Sequence, residues 1–346
     1  MKYSRHIVIL ALMTAAMVAL LAWSFSGVKK DEVLEAFRTA QWGYAPIAVL
    51  FGLLVFPVKA LRWRVILGSE RAVPFRTLLS AIMIGFMVNC IFSRVGEIVR
   101  AVILSLKGEM RTATALASIA LERIFDSCTV ILFLVVGLLW LHPAAAGEGA
   151  GHLAHLRIIG GLAALLLVCT VTFLVFLRMR PEAATRFVLA CVNWLPERLR
   201  LRTRDFLKTF LDGLDTIRGA RQLATILVLS ILHWLIQVLF FLFAAWCFEG
   251  IGLTFPGALL VFALTAFGVA ALPLPGYVGI YQGGILAAAA VIGVNLATAE
   301  FKSLWVSYAW LSWAIGITPV ILIGFVFLWA EGLTLRDIRG KNAARP

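Results

Sequence analysis

The chain has 346 residues, 62% of them hydrophobic and 14% charged, with a mean hydropathy of +0.97. That is more apolar surface than a water-soluble core of this length can bury, so composition excludes an ordinary soluble domain and places the chain in a bilayer. The formal charge of +13 does not point to nucleic acid: Lys and Arg gather at the ends of apolar runs, where they set orientation and meet anionic head groups.

A hydrocarbon layer about 30 Å thick needs about 20 apolar residues per helical span. The first such run covers 7–25, behind Lys2 and Arg5, and ends without a small-residue cleavage site, so it reads as a retained span rather than a signal peptide. Further spans are predicted at 45–67, 115–141, 158–177, 223–248 and 303–330. The piece HPAAAGEGAGHLAH (142–155) reads as an exposed loop, and 181–221 as a basic amphipathic segment lying along an anionic leaflet. Five scattered cysteines, Cys90, Cys128, Cys169, Cys191 and Cys247, form no CxxC pair and read as small hydrophobes. His152 and His155 lack a third ligand, so no metal or other cofactor is expected, and His233 reads as a packing residue or a proton relay. GxxxxGKS, GxSxG and HExxH are absent and spacing groups no nucleophile with a base, so the chain reads first as a non-enzyme, with transport of a small soluble anion, or an enzyme acting on a lipid phosphate through Glu97, Glu122 and Asp126, as the alternatives.

Basic residues in the connections set the topology. The N-terminus, the stretch holding Arg62, Arg64, Arg71 and Arg76, the segment 178–221 and the tail are predicted to be cytoplasmic; 142–157 and 249–256 are predicted to face outward. Residues 77–92 and 95–106 must then leave and return on the cytoplasmic side, as a re-entrant hairpin around the charged turn in NCIFSRVGEIVR (89–100). Residues 257–272 and 280–293 must do the same on the outer side, around PLPGYVGIYQGG (273–284). The fold class expected is an all-α polytopic membrane protein with six full transmembrane helices and two re-entrant helical hairpins in an inverted-topology repeat. One integral membrane domain, 1–346, would hold repeat one at about 45–141 and repeat two at about 223–330.

An Arg at the centre of a lone span costs about 2.5 to 3.5 kcal/mol, so the charged residues inside these runs need a reason. Arg94, Glu97 and Arg100 lie in the first hairpin, and Glu122, Arg123 and Asp126 in the fourth span. Glu122 and Asp126 share a helical face, and Glu97 can pair with Arg100 three residues on. The returning helices would begin at depth, near Gly96 and near Gly279 and Tyr281, with unpaired N–H groups that favour an anion; Arg94 and Arg100 could grip phosphate oxygens. In one reading the arginines hold an anionic head group, with Gly96, Gly276 and Gly279 allowing close backbone approach. In a compatible second reading they neutralise the carboxylates and lock the hairpin to the fourth span.

The motifs LRWRVIL (61–67), Asn89, RVGEIVRAVIL (94–104), ERIFD (122–126) and LPLPGYVGIYQGG (272–284) together resemble the transmembrane region of lysylphosphatidylglycerol synthases, a flippase-like family of bacterial membrane proteins. The resemblance covers most of the chain. It implies a multi-pass protein of the bacterial inner (cytoplasmic) membrane, with both termini cytoplasmic, that moves an anionic phospholipid or polyprenyl phosphate between leaflets, and it adds Asn89 and Gln282 to the candidate site. Two positions depart from the family pattern: Phe92 stands where a proline is usual, and Gln282 where a glutamate is common. No soluble transferase follows the last span, so aminoacylation of lipid by this chain is not expected.

Overall fold

A computed structural model describes residues 2–68, 73–92, 95–107, 110, 112–140, 150–193, 196–197, 199–201, 203–204, 219–272 and 274–332. The described chain is helical throughout, with no strand. In order the helices are α1 (Lys2–Phe25), α2 (Lys30–Arg38), α3 (Tyr44–Leu67), α4 (Phe75–Phe92), α5 (Val95–Leu106), α6 (Thr112–Trp140), α7 (Ala150–Met179), α8 (Pro181–Cys191), α9 (Ala220–Trp246), α10 (Phe255–Ala271), α11 (Ile280–Ile292) and α12 (Ala299–Ala330), with a short 3-10 turn at Pro275–Tyr277. The chain is an all-α polytopic membrane protein: five of the described helical segments are long and apolar enough to cross a bilayer, and shorter apolar helices accompany them.

Three expectations change. The loop expected at 142–155 is already helical from Ala150 onward, because Leu153 and the apolar run after it extend α7 toward its N-terminus; residues 141–149 lie outside the described residues. The stretch 26–44, for which the sequence suggested no element, contains a helix, α2, which packs on α12. Finally, α4 has 18 residues and the hydropathy of a span, whereas α5 has only 12, so the first hairpin has one long and one short arm. Two-thirds of the apolar window of α4, 67%, is buried inside the protein, as a helix shielded from lipid by its neighbours must be.

The packing is closed under an exchange of two quartets, α3 to α6 against α9 to α12. Helices α4 and α5 pack as a hairpin, as do α10 and α11; α4 packs on α12 as α10 does on α6; α5 packs on α6 as α11 does on α12. Helices α3 and α9 share a long face along the middle of the molecule. At the crossing of α4 and α5 a Cβ on Gly96 would overlap the Gly85 carbonyl, and at the crossing of α10 and α11 a Cβ on Gly284 would come 2.6 Å from Thr265 Cα. Gly96→Ala should therefore force the first hairpin apart and cost about 1–3 kcal/mol. Thermal unfolding in detergent checks this, with Gly161→Ala, whose Cβ meets nothing within 4 Å, as the neutral control.

Helix α2 straps the connection between α1 and α3 onto α12. Ser303 Oγ donates to Glu32 Oε2 at 2.8 Å, and Lys29 Nζ pairs with Glu32 at 3.0 Å. The Ser303 hydroxyl, then Lys29, hold the Glu32 carboxyl below the usual glutamate value. A lowered carboxylate favours the docked state above the undocked pKa and loses that contribution as pH falls through the docked value. A spin label at exposed Asp31 should thus gain mobility on acidification below about pH 4. Ser303→Ala should move that midpoint to higher pH; an unmoved midpoint would remove Ser303 as the cause.

Candidate functional site

The site grows out of one helical face. Lys59, Arg62, Trp63 and Ile66 recur on α3 at the spacing of a buried stripe, and all are 1% exposed or less. Charge on such a stripe is tolerated in a membrane only when paired, and α6 supplies the partners from Glu122 and Asp126, which are 0% and 4% exposed. Lys59 Nζ pairs with Glu122 Oε1 and lies 3.6 Å from Asp126 Oδ2. Arg62 Nη2 lies 2.6 Å from Asp126 Oδ1, and its Nη1 donates to Ser230 Oγ of α9 at 3.0 Å. Trp234 Nε1, also on α9, donates to Asp126 Oδ1 at 3.1 Å.

From α5, Arg100 reaches the same carboxylate. Its Nη1 and Nη2 donate to the two oxygens of Glu122 at 3.2 and 2.9 Å, and its guanidinium lies 4.2 Å from the centre of the Trp63 ring. Trp63 Nε1 is fixed in turn by Ser118 Oγ at 2.9 Å. Arg100 thus pairs with Glu122, and not with Glu97 three residues before it, because its side chain runs inward past Gly85. Glu97 instead meets Arg123, with Oε1 3.2 Å from Nε. This last pair is the open edge of the network: the Arg123 and Glu97 side chains are 40% and 34% exposed, whereas Lys59, Arg62, Arg100 and Glu122 are sealed.

Two readings from sequence are corrected here. Arg62 was counted among cytoplasmic loop residues, yet it lies inside α3 in the ion network, so it says nothing about orientation. One N–H at the start of each returning helix is also already bonded, which reduces the donors left for an anion. Asn89 Oδ1, buried on α4, accepts the Gly96 N–H at 2.7 Å, and Gln282 Oε1 accepts the Gly279 N–H at 2.8 Å. Each hairpin caps its own returning helix with an amide oxygen.

The turn of the second hairpin lies against the first. Gly276 and Gly279 have φ of 61° and 85°, which glycine adopts without steric cost, and Tyr277 between them has φ of 57°. Among the described residues Tyr277 is the only non-glycine in that region, a strained placement of the kind found where structure is held for a purpose. Trp313 Nε1 clamps the turn by donating to the Gly276 carbonyl at 2.7 Å, and a Cβ on Gly276 would stand 3.9 Å from the Cys90 carbonyl near the end of α4.

The family described as the lysylphosphatidylglycerol synthase TM region matches residues 7–304, which include every charged residue of this network. The chain belongs to that family. No curated protein and no solved structure matches it.

Membership brings a lipid-related membrane class but no assignment of roles within the site. Of the family-like positions, Asn89, Gly96, Glu97, Arg100, Glu122, Arg123 and Asp126 gather around the first hairpin and α6, while Gly276, Gly279, Tyr281 and Gln282 gather at the second turn. Arg94 and Pro273 lie outside the described residues. Tyr281 stacks on Phe241, with ring centres 5.9 Å apart, and faces α9 rather than the ion network. His233 is 1% exposed with Nδ1 3.2 Å from the Val55 carbonyl, a packing role. The side chains of His152 and His155 are outside the described residues, and among those described no His, Cys, Asp or Glu cluster suits a metal ion.

Sequence reasoning passed over Lys59, Ser230, Trp234 and Tyr277. Lys59 could have been found: it is a cation within an apolar run, one turn before Arg62 and Trp63. Ser230 and Trp234 carry no local signal, since their roles come from contacts across the fold, whereas Tyr277 lies within the glycine-punctuated run PLPGYVGIYQGG.

Proposed function

We propose that this chain moves an anionic, phosphate-bearing lipid across the bilayer, and that the head group is taken at the Glu97–Arg123 pair, where the start of α5 meets α6. The observation that carries the reading is the exposure of that pair at the edge of a buried network that is otherwise sealed. Three buried cations, Lys59, Arg62 and Arg100, face two buried carboxylates, Glu122 and Asp126, which leaves one positive charge in excess before the Glu97–Arg123 pair is added. The Glu97 carboxylate meets Arg123 through a single 3.2 Å contact at Nε, and an incoming phosphate can replace it with forked hydrogen bonds to the guanidinium.

A lipid suits this setting better than a soluble anion. Ile91, Phe92, Val95 and Ile98, at the end of α4 and the start of α5, are 39%, 60%, 44% and 45% exposed, so the chain around the charged pair turns apolar side chains outward. Acyl chains can lie there while the phosphate reaches inward.

In this proposal Arg100, Lys59 and Arg62 position Glu122 and Asp126, and these hold Arg123. Gly96 lets α5 cross α4 closely, Gly276 brings the second turn to the end of α4, and Gly279 lets that turn approach α1. The quartets α3 to α6 and α9 to α12 act as inverted repeats, about 45–141 and 223–330, that rock against each other along the α3–α9 face, with both termini in the cytoplasm.

The test is reconstitution. Vesicles carrying the protein and a labelled anionic phospholipid should lose protection of the label on the inner leaflet from a membrane-impermeant quencher faster than protein-free vesicles. Equal rates across several anionic lipids would end the proposal. Uptake of a small anion without lipid movement would replace it with solute transport, and a lipid of altered mass would replace it with an enzyme.

A further inference from the structure

Helix α7 ends abruptly. Arg180 leaves the helical region, with φ −137° and ψ 64°, and Pro181 starts α8 in a new direction, since a proline there cannot continue the preceding ladder. Helix α8 is then anchored by its inner face: Ala184, 0% exposed, and Val188 pack with Leu177 and Phe173 of α7 and with Ile66, Leu121 and Ile226 of three other helices. It is thus fixed at one end of the bundle, beside the C-terminal end of α3.

Its outer face and the helical residues at 199–201 and 203–204 combine two features that rarely coincide on a surface facing water. Phe187, Leu199 and Leu201 are 57%, 45% and 52% exposed, and Met179 just before α8 is 71% exposed. Exposed Arg180, Arg186 and Arg204 stand among them, and Arg200 Nη1 donates to Asn193 Oδ1 at 3.0 Å. Arg200 and Arg204 line one side of a cavity of about 340 Å³ whose other walls include Leu189 and Leu201. Among the described residues no carboxylate pairs with Arg186, Arg200 or Arg204.

We propose that α8 and the helical residues at 199–201 and 203–204 form a docking surface for anionic phospholipid in the adjacent leaflet, with Arg200 and Arg204 holding the phosphate and Phe187 and Leu201 lying among the acyl chains. Arginine beside exposed apolar side chains matches the boundary between head groups and chains; an acidic protein partner would use the charges and leave the apolar groups in water. The surface is separate from the Glu97–Arg123 pair and does not depend on its role.

The test uses the full chain in nanodiscs of phosphatidylcholine, with and without a third of the lipid replaced by phosphatidylglycerol, and reads amide hydrogen exchange over residues 181–193. Exchange should slow by about tenfold or more in the anionic discs and recover at high salt. Arg200→Gln with Arg204→Gln should weaken the effect by about fivefold for each arginine while exchange in α3 and α6 stays as it was. Equal exchange of the unaltered protein in the two discs overturns the proposal. So does an equal slowing by inorganic phosphate in phosphatidylcholine discs, which would mark a site for soluble anions.

Discussion

Glu122→Gln is expected to lower the stability of the folded chain by about 3–5 kcal/mol, the largest effect of any single charge removal in the molecule. Glu122 is fully buried and its two oxygens meet Lys59, Arg62, Arg100 and Arg123, so glutamine leaves three sealed cations with Asp126 alone. The cost lies in the stranded cations, not in the lost attraction. For that reason Arg100→Gln added to Glu122→Gln should recover part of the loss, a coupling that a double-mutant cycle measures directly. Glu97→Gln, at the exposed edge, should change stability by about 1 kcal/mol or less. Thermal unfolding of the purified protein in one detergent separates these cases. A mild Glu122→Gln variant would show that water reaches the network.

Arg123→Gln should have a different profile. Its side chain is 40% exposed, but Nη2 and Nη1 lie 3.6 and 3.8 Å from buried Glu122 and Asp126, so stability should fall by about 1–3 kcal/mol, less than for Glu122→Gln, while lipid movement in vesicles should fall by about ten- to a hundredfold, as expected when one charge-assisted contact to a phosphate is lost. Arg123→Lys keeps the charge but not the fork, and should keep part of the rate. Transport that survives Arg123→Gln undiminished would move the head group away from this pair, even if the protein proves to move lipid.

Much of the fold was legible in the sequence because a bilayer restricts it so strongly. Every backbone polar group must be satisfied within a segment, so apolar runs of sufficient length read directly as helices, and the helices fall close to the expected boundaries at 45–67, 223–248 and 303–330. Helical periodicity placed Glu122 and Asp126 on one face. The pairing of charges was not legible in the same way. Glu97 and Arg100 are three residues apart and suited to pair, yet the close approach of Gly85 directs Arg100 inward to Glu122 and leaves Glu97 for Arg123. Likewise, Arg62 resembles a loop cation in a count of basic residues, because such a count records charge without burial.

By itself, the sequence determined that this protein lives in a membrane, that its segments are helical, and that it carries more charge at depth than lipid tolerates unpaired. Those properties depend on composition and on periods of a few residues, which no distant contact can reverse. Only the tertiary structure decided which charges are sealed and which remain open. The buried stripe of α3, Arg100 of α5 and the carboxylates of α6 come from separate parts of the chain, and their meeting depends on how glycine-lined helices cross, a matter of ångström-scale packing that local sequence does not encode.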